Sequence, residues 1–448
     1  MTLRFGTDGL RGVANADLTP ELVTLLGRAA ARVLGTRTDR FLVGRDTRIS
    51  GPMLQAALTA GLTAEGADVG DLGVLPTPGV AWLSVAENVP AAMISASHNP
   101  FPDNGIKFFA PGGRKLSDET ESALEDELDR LVAHTAHLGG PTGASIGRAE
   151  PVDGCDRYAE ALIGLLAPGA LAGLSMVIDC ANGAASAVAG PVLVALGAQV
   201  TVLNDKPDGT NINLGCGSNH PEELAKAVVL AGADAGLAFD GDADRVIAVD
   251  HTGAVVDGDQ ILAICSLDRR ARGQLVGDTV VLTVMANLGL RQVMAEHGIE
   301  IVETAVGDRY VLEQLEAGGW TLGGEQSGHV IFRDLATTGD GILTGIQVLD
   351  VMARSGRSLA DLASVMNRLP QVLRNVVVDG VVSLDGAEGV WAEVRRAEER
   401  LGTDGRVLVR SSGTEPVVRV MVEARTLEDA ESTCDALCSA VGTALGAG

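Results

Sequence analysis

One pattern of residues occurs three times along the 448-residue chain and restricts its fold more than any other feature. Each copy consists of a β-branched run, a helical stretch, a second run, an intervening segment and a third run that ends in a polar loop. The copies begin at FLVG (41–44), SMVID (175–179) and TVVLT (279–283). Such alternation predicts largely parallel sheets covered by helices on both faces.

The chain changes character after about residue 370, where short alternating runs precede an acidic helical stretch from Thr426. Aromatic residues make up only 3% of the chain and 57 residues are glycine, which suits tightly packed βα units. We therefore expect an α/β protein with three topologically similar α/β domains around a central cleft and a smaller C-terminal α+β domain. The predicted domain boundaries are 1–150, 151–253, 254–370 and 371–448.

The three repeats end in the loops SASHNP (95–100), DGDADR (240–245) and GEQSGH (324–329). Loops that leave the carboxyl ends of parallel strands form the ligand crevice in such sheets. The three loops are therefore candidates for one shared cleft. The alternative is that they are ordinary surface turns on common βα units.

The net charge of −25 and the isoelectric point near 4.6 disfavour nucleic acid and anionic membranes as partners. Two uncharged stretches, 161–178 and 181–204, contain polar residues and prolines, so we interpret them as buried α/β elements. The N-terminal sequence does not resemble a secretory signal. The six cysteines lack paired ligand spacing, and we expect reduced thiols in a cytoplasmic protein.

The loop at 240–245 carries three carboxylates, Asp240, Asp242 and Asp244, directly after an apolar run. In an extended segment they would project to one side and repel one another unless a hard cation lay between them. An EF-hand is excluded because Arg245 and His251 stand where that loop requires glycine and glutamate. The loop predicts Mg²⁺ with open positions for phosphate oxygens; a solvated acidic turn is the alternative.

The loop at 95–100 places Ser97 beside His98. The elbow motif of serine hydrolases is absent, and adjacent side chains on an extended loop usually diverge, so we do not expect His98 to act as a base on Ser97. A serine that carries a phosphoryl group needs cations and a metal nearby, and Lys107 can supply positive charge. Taken alone, a serine–histidine pair is more often structural.

Two further loops suggest ligand contacts. The segment RSSGTEP (410–416), with Arg419 beyond it, combines guanidinium groups, hydroxyls and a glycine, which favours phosphate binding over a plain hairpin turn. In the loop at 324–329 a carboxylate, an amide and a hydroxyl suit sugar hydroxyls better than phosphate. Arg11, in a glycine-rich N-terminal loop, is a weak signal by itself.

Taken together, the motifs GTDGLRG, ISASHNP, FDGDADR, GEQSGH and RSSGTEP resemble those of the α-D-phosphohexomutase family, in the same order and spread from residue 6 to 416. The resemblance implies three similar α/β domains and a smaller C-terminal one. GEQSGH, DGDQILAIC (257–265) and TAVGDRYV (304–311) resemble most the bacterial branch that acts on amino sugars.

The resemblance also implies roles for individual residues. Ser97 would be the phosphorylated residue and would ligate one Mg²⁺ per subunit together with Asp240, Asp242 and Asp244. Arg11, His98, Lys107 and Arg245 would surround the transferring phosphoryl group. The substrate would be bound by residues in two loops: Glu325, Ser327, His329, Arg410, Ser412, Gly413, Thr414 and Arg419.

The implied reaction moves a phosphoryl group between the 6- and 1-positions of a hexosamine phosphate through a bisphosphorylated sugar, which also primes the serine. An activating kinase and a homodimer are family-level expectations. The sequence leaves three alternatives open: a mutase of the same family acting on glucose or mannose phosphates, a non-catalytic sugar-phosphate binding protein, and a hydrolase.

Overall fold

The structure, a computed structural model, describes residues 4–6, 9–35, 40–134, 138–380, 383–411 and 416–445. Contacts divide the chain into two compact units. The first unit comprises Met1–Met285 and Glu300–Ser364, and the second comprises Ala286–Ile299 and Val365–Gly448. The predicted boundaries at 150, 253 and 370 are finer than this division and stay predictions.

The described ranges contain nineteen strands and fourteen α-helices. The strands are β1 (Leu10–Val13), β2 (Arg40–Arg45), β3 (Asp68–Val74), β4 (Ala91–Ile94), β5 (Asp103–Ala110), β6 (Arg114–Lys115), β7 (Ala149–Pro151), β8 (Ser175–Asp179), β9 (Gln199–Leu203), β10 (Ala235–Phe239), β11 (Val246–Asp250), β12 (Val255–Val256), β13 (Thr279–Thr283), β14 (Glu300–Thr304), β15 (Leu322–Gly324), β16 (Val330–Phe332), β17 (Gln371–Val377), β18 (Arg406–Ser411) and β19 (Val417–Glu423). The helices are α1 (Pro20–Leu34), α2 (Gly51–Ala64), α3 (Thr77–Glu87), α4 (Asp118–Ala133), α5 (Cys155–Ile163), α6 (Ala189–Ala195), α7 (Glu222–Ala231), α8 (Gly258–Ala271), α9 (Leu288–Glu296), α10 (Asp308–Gly318), α11 (Gly341–Ser355), α12 (Leu359–Ala363), α13 (Glu388–Leu401) and α14 (Leu427–Leu445).

The first unit contains three sheets that repeat one topology. Their central parallel strands are ordered β4-β2-β3, β10-β8-β9 and β15-β13-β14, so in each the third strand of the repeat lies beside the first. The third strand then pairs antiparallel with the next strand along the chain, β5, β11 or β16. The predicted α/β class and the three similar repeats are therefore confirmed.

Small residues allow close packing between the layers. The core of the first sheet and its helices consists of buried leucine, valine, isoleucine and alanine side chains around Phe41. Helices α1 and α2 approach so closely that a Cβ atom on Gly61 would lie 2.1 Å from the carbonyl oxygen of Thr24. Glycine is therefore required at this crossing, in line with the composition.

The second unit is built on an antiparallel sheet with the order β17-β19-β18, packed against α13 and α14. The three strands and the final helix were predicted from the sequence, whereas α13 was not. Helix α9, which connects two strands of the third repeat, also belongs to this unit. The Asn287 side chain donates to the Leu369 carbonyl at 3.0 Å, and the Leu288 amide donates to Glu423 Oε2 at 3.0 Å.

The two uncharged stretches behave as expected from the sequence. Residues 161–178 and 181–204 form parts of α5, β8, α6 and β9 with their connecting loops. Within the described ranges, no helix is both long and apolar enough to cross a membrane. All six cysteines lie in those ranges and are free thiols.

Candidate active site

Three loops of the first unit carry the chemistry that the sequence singled out. The serine loop (95–100) follows β4, the aspartate loop (240–245) follows β10, and the glutamate loop (325–329) follows β15. Each loop leaves the carboxyl end of the third strand of its repeat, as the sequence predicts.

Ser97 lies against the first aspartate of the aspartate loop. Its side chain is buried, and Oγ donates a hydrogen bond of 2.6 Å to Asp240 Oδ2. Ser97 has a left-handed backbone with φ of 51°. This conformation turns Oγ to within 3.2 Å of His98 Nδ1, so the expectation that the two adjacent side chains diverge is wrong.

A buried arginine holds the serine loop in this conformation. Arg48 is fully buried, and its Nη2 donates to the carbonyl oxygens of Ser97 and Asn99, each at 2.9 Å. Its Nη1 donates to two more carbonyls of the same segment, those of Pro100 and Asp103. Its Nε donates to Asp46 Oδ2 at 2.8 Å. The planar guanidinium group thereby satisfies four carbonyl oxygens of one segment at once, of which that of Ser97 is buried.

The second repeat also holds the serine loop. Asn213, in the segment between β9 and α7, donates from Nδ2 to the carbonyl oxygens of Ser97 at 2.9 Å and Asn99 at 3.1 Å. Inside the loop, the Ser97 amide donates to Ser95 Oγ, which donates in turn to Asp46 Oδ2 at 2.7 Å. The serine loop is thus fixed by both its own repeat and the next one.

The three aspartates form a buried carboxylate cluster. One oxygen from each of Asp240, Asp242 and Asp244 lies within 4.8 Å of the others, although the loop is a turn with Ala243 left-handed and not the expected extended segment. Asp242 Oδ1 and Asp244 Oδ1 are buried and accept no hydrogen bond from the described part of the chain. Buried carboxylate oxygens without donors suit a hard divalent cation, so the cluster can hold a metal ion.

Burial and nearby charges shift the pKa values of two of these carboxyl groups in opposite directions. Burial, together with the negative charges of Asp244 and Asp242, raises the pKa of Asp240 well above its usual range. Burial also disfavours the charged form of Asp244, but Lys107, His329 and Arg245 hold the pKa of this residue well below its usual range. The cluster therefore has one carboxyl group that accepts a proton readily and one that stays ionised.

Cations lie close to the cluster, one on β5 and one at the end of the aspartate loop itself. Lys107, on β5, is buried, and its Nζ lies 3.1 Å from Asp242 Oδ2 and 3.7 Å from Asp244 Oδ2. Arg245 Nε lies 3.8 Å from Asp244 Oδ1. Burial, then the positive charges of Arg245 and Arg11, lower the pKa of His98, so this imidazole is neutral near pH 7. Lys107 and Arg245 thus lie at the aspartate cluster, and Arg245 and Arg11 lie close enough to His98, which contacts Ser97, to lower its pKa.

The glutamate loop differs in part from the prediction. Glu325 Oε1 accepts the Gly307 amide at 3.1 Å, and Ser327 Oγ is buried with no hydrogen-bond partner in the ranges described. His329, predicted to bind substrate, is only 2% exposed. Its Nδ1 lies 3.6 Å from Asp244 Oδ2, and its Nε2 accepts the Gly339 amide. Both nitrogens therefore face protein groups, and His329 helps to keep Asp244 ionised. Its role in substrate binding stays a prediction.

Two residues of the predicted phosphate site lie on strands of the second unit, Arg410 on β18 and Arg419 on β19. Arg410 and Arg419 are direct partners in this antiparallel pair and are both half-buried. Burial and the Arg419 charge lower the pKa of Arg410. Two adjacent guanidinium groups on one sheet repel each other, and a bound anion would relieve this repulsion. Ser412, Gly413 and Thr414 lie outside the described residues.

Sequence reasoning missed Arg48, Asn213 and Thr77, which contact the serine loop or the aspartate loop without belonging to them. Thr77 Oγ1 donates to Asp242 Oδ2 at 2.6 Å. Arg48 and Thr77 each come three residues after a strand end, of β2 and β3, and this signal in the sequence could have drawn attention to them. Asn213 lies ten residues after β9, and no comparable signal marks it.

Family models for phosphoglucomutase/phosphomannomutase match the chain in four places. Alpha/beta/alpha domains I, II and III match residues 2–134, 156–253 and 257–369, and the C-terminal domain matches 351–440. The predicted family resemblance is therefore confirmed.

Individual proteins agree with the family models. A phosphoglucosamine mutase from Rhodococcus erythropolis is 55% identical over 444 residues, covering 98% of this chain and 99% of the relative. Another from Symbiobacterium thermophilum is 52% identical over 453 residues, covering 99% and 100%. The crystal structure of a phosphoglucomutase/phosphomannomutase family protein from Burkholderia thailandensis has a TM-score of 0.80 at 26% identity, covering 98% of this chain and 97% of the other.

Proposed function

The chain belongs to the phosphoglucomutase/phosphomannomutase family, and we propose that it is the isomerase that interconverts glucosamine 6-phosphate and glucosamine 1-phosphate. The observation that carries this proposal is the 2.6 Å hydrogen bond from Ser97 Oγ to Asp240 within a buried carboxylate cluster faced by Lys107. The choice of an amino sugar rests on relatives 52–55% identical over nearly their whole length that are named phosphoglucosamine mutase.

Ser97 is the residue that carries the phosphoryl group. In the forward direction the bond between phosphorus and Ser97 Oγ breaks while the 1-hydroxyl oxygen of glucosamine 6-phosphate bonds to the same phosphorus. The hydroxyl proton leaves the sugar, and Ser97 Oγ regains a proton. His98 Nδ1, 3.2 Å from Oγ and neutral near pH 7, and Asp240 Oδ2, 2.6 Å away, are both within reach of that proton.

The resulting bisphosphate then reorients, and its 6-phosphate returns to Ser97. In this second step the bond between phosphorus and the 6-oxygen breaks, a new bond to Ser97 Oγ forms, and the proton of Ser97 passes to the 6-oxygen. Glucosamine 1-phosphate is released. Added glucosamine 1,6-bisphosphate serves as a primer because it enters the cycle at this midpoint.

Asp240, Asp242 and Asp244 would hold one Mg²⁺ together with the phosphate on Ser97, and the donor-free oxygens of Asp242 and Asp244 support this assignment. When bound, the cation neutralises charge on the transferring phosphoryl group. Lys107, Arg245 and Arg11 add fixed positive charge around Ser97. Because phosphoryl transfer depends mainly on positioning and charge stabilisation, these groups supply what the reaction needs.

The remaining predicted residues recognise the substrate. Glu325 and Ser327 would bind sugar hydroxyls, and the buried, unpartnered Oγ of Ser327 supports this role. Arg410 and Arg419, together with Ser412, Gly413 and Thr414, would hold the phosphate that is not being transferred. The adjacent, half-buried guanidinium groups of Arg410 and Arg419 support that part of the proposal.

We place this activity in the cytoplasm, where its product would supply the synthesis of UDP-N-acetylglucosamine, a cell-wall precursor. The first phosphoryl group on Ser97 would come from a bisphosphorylated hexose or from an activating kinase. We also propose that the chain assembles as a homodimer.

A coupled mutase assay on the purified full chain tests the proposal, with glucosamine, glucose and mannose phosphates compared with and without a bisphosphate primer. We expect kcat/KM to be highest for the glucosamine phosphate by about tenfold or more, equivalent to about 1.4 kcal/mol. Phosphopeptide mapping should find phosphate on Ser97, and Ser97→Ala should abolish turnover.

The alternatives give different results in the same experiment. Preference for glucose or mannose phosphates would assign the chain to another mutase of this family. Release of inorganic phosphate as the main reaction would indicate a hydrolase. Binding without turnover, with an unmodified Ser97, would indicate a binding protein.

A further inference from the structure

Thr77, the first residue of α3, makes two hydrogen bonds to one residue of the aspartate loop. Its Oγ1 donates to Asp242 Oδ2 at 2.6 Å, and its backbone amide donates to the Asp242 carbonyl oxygen at 2.9 Å. Thr77 is 1% exposed and Asp242 is 0% exposed, so water does not compete for either bond. The two residues belong to different repeats and are 165 positions apart in the chain.

The Thr77 hydroxyl is not needed by its own helix. No side chain caps the N-terminus of α3, where Pro76 occupies the cap position. A threonine near a helix N-terminus commonly uses its hydroxyl on the helix's own amides. Here the hydroxyl and the first free amide of the helix are both directed to Asp242 instead.

These bonds distinguish the two oxygens of the Asp242 carboxylate. Oδ2 accepts from Thr77 Oγ1 at 2.6 Å and from Lys107 Nζ at 3.1 Å. Oδ1 is buried and accepts no hydrogen bond from the described part of the chain. Because both donors act on the same oxygen, the hydroxyl helps to hold the carboxylate in one orientation.

We infer that Thr77 is a positioning residue that occupies Asp242 Oδ2 and so leaves Oδ1 as the oxygen available to a divalent cation. This inference rests on the proposed function, in which Asp242 ligates the cation. Partners that orient metal ligands in this way commonly change metal affinity by about 10- to 100-fold when they are removed.

The test compares Thr77→Val, which keeps the shape and loses the hydroxyl, with Thr77→Ser, which keeps the hydroxyl. Mn²⁺ binding to each full-length protein is measured by electron paramagnetic resonance, without substrate. We expect Thr77→Val to bind Mn²⁺ about 10- to 100-fold more weakly and Thr77→Ser to bind as the unsubstituted protein does. At saturating cation, the KM for glucosamine 6-phosphate should not change.

Ser84→Ala is the matched control, because Ser84 lies in the same helix, is fully buried and donates to the Val89 carbonyl at 2.6 Å. It should affect stability without changing Mn²⁺ affinity. If Thr77→Val does not fold, the Mn²⁺ affinity of Thr77→Ala is compared with that of Thr77→Ser, since these variants also differ in the hydroxyl. The inference would be wrong if a folded variant that lacks the hydroxyl, Thr77→Val or Thr77→Ala, bound Mn²⁺ as tightly as the unsubstituted protein.

The experiment distinguishes failure of the Thr77 inference from failure of the proposed reaction. If the unsubstituted chain binds Mn²⁺ in a Thr77-dependent manner but does not isomerise a hexose phosphate, the role of Thr77 holds and the proposed reaction is wrong. If the unsubstituted chain binds no Mn²⁺, both are wrong.

Discussion

The serine loop and the glutamate loop occupy equivalent places in two repeats, yet they are held very differently. Four carbonyl oxygens in and beside the serine loop accept from Arg48, and two of these also accept from Asn213. In the glutamate loop, the carbonyl oxygens of Gln326 and Gly328 accept instead from the backbone amides of Gly258 and Val246, each at 3.1 Å. Among its side chains, Glu325 Oε1 accepts one backbone amide and Ser327 Oγ has no partner within the described residues.

The backbone shows the same contrast. Ser97 and Ala243 adopt positive φ angles of 51° and 58°, whereas the residue with a positive φ in the glutamate loop is a glycine, Gly328, with φ of 88°. A left-handed conformation costs a residue with a Cβ about 1–2 kcal/mol, and surrounding contacts must offset this. The two loops proposed to react therefore each contain a strained residue with a Cβ. The loop proposed to recognise the sugar uses glycine at its left-handed position and keeps the Ser327 hydroxyl without a partner in the described residues.

The largest effect should come from the aspartate loop. Asp242→Asn removes one negative ligand, and we expect kcat to fall by about a hundredfold or more, with a higher Mg²⁺ requirement. The free energy of unfolding should change little, because the relief of repulsion among three buried carboxylates offsets the loss of the ion pair with Lys107. Steady-state kinetics over a Mg²⁺ series and urea denaturation measure the two effects. Unchanged activity of the unsubstituted chain in saturating EDTA would contradict a metal role.

The next largest effect should come from the support of the serine loop. Arg48→Lys keeps the charge beside Asp46 but cannot reach all four carbonyls, so we expect the free energy of unfolding to fall by about 3 kcal/mol. Urea denaturation measures it. Arg32→Lys is the matched control, since Arg32 is 26% exposed and pairs with Glu65; it should cost less than about 1 kcal/mol. If both variants lost the same free energy of unfolding, Arg48 would not support the serine loop more strongly than a partly exposed ion pair supports its helix.

The sequence predicts where the reacting loops lie, because hydrophobic periodicity locates each third strand and the topology then places its carboxyl end in the crevice. Ser97, Asp240 and Asp242 follow directly from that reasoning. The left-handed turn at Ser97 does not, because it depends on hydrogen bonds from Arg48 and Asn213, which are distant in sequence. The proximity of His98 to Ser97 was missed for the same reason.

His329 shows a second limit of sequence reasoning. Its motif indicates ligand contact, but whether a side chain faces the cleft or the protein depends on which groups of other repeats lie behind it. In the structure Asp244, Asp308 and the Gly339 amide face its two ring nitrogens. Helix α9 is a similar case, since its periodicity predicts a helix but not the unit against which it packs.

The smallest effect on stability, and the most direct test of the contrast between the loops, comes from two serines. Ser327→Ala removes a buried hydroxyl without a partner in the described chain, so the free energy of unfolding should change by less than about 0.5 kcal/mol. Ser95→Ala removes a hydroxyl that accepts from the Ser97 amide and donates to Asp46, and should cost about 1–2 kcal/mol. Urea denaturation of both variants measures this difference.

Steady-state kinetics should also distinguish the two serines, because one substitution should change KM and the other kcat. If Ser327 donates to a sugar hydroxyl, Ser327→Ala should raise the KM for glucosamine 6-phosphate about threefold to tenfold, because one neutral hydrogen bond to the substrate is lost. The value of kcat should change little. Ser95→Ala should instead lower kcat, because it loosens the backbone that orients Ser97. A Ser327→Ala variant that is less stable but has an unchanged KM would show that this hydroxyl supports the fold, and the two loops would then differ in strain alone.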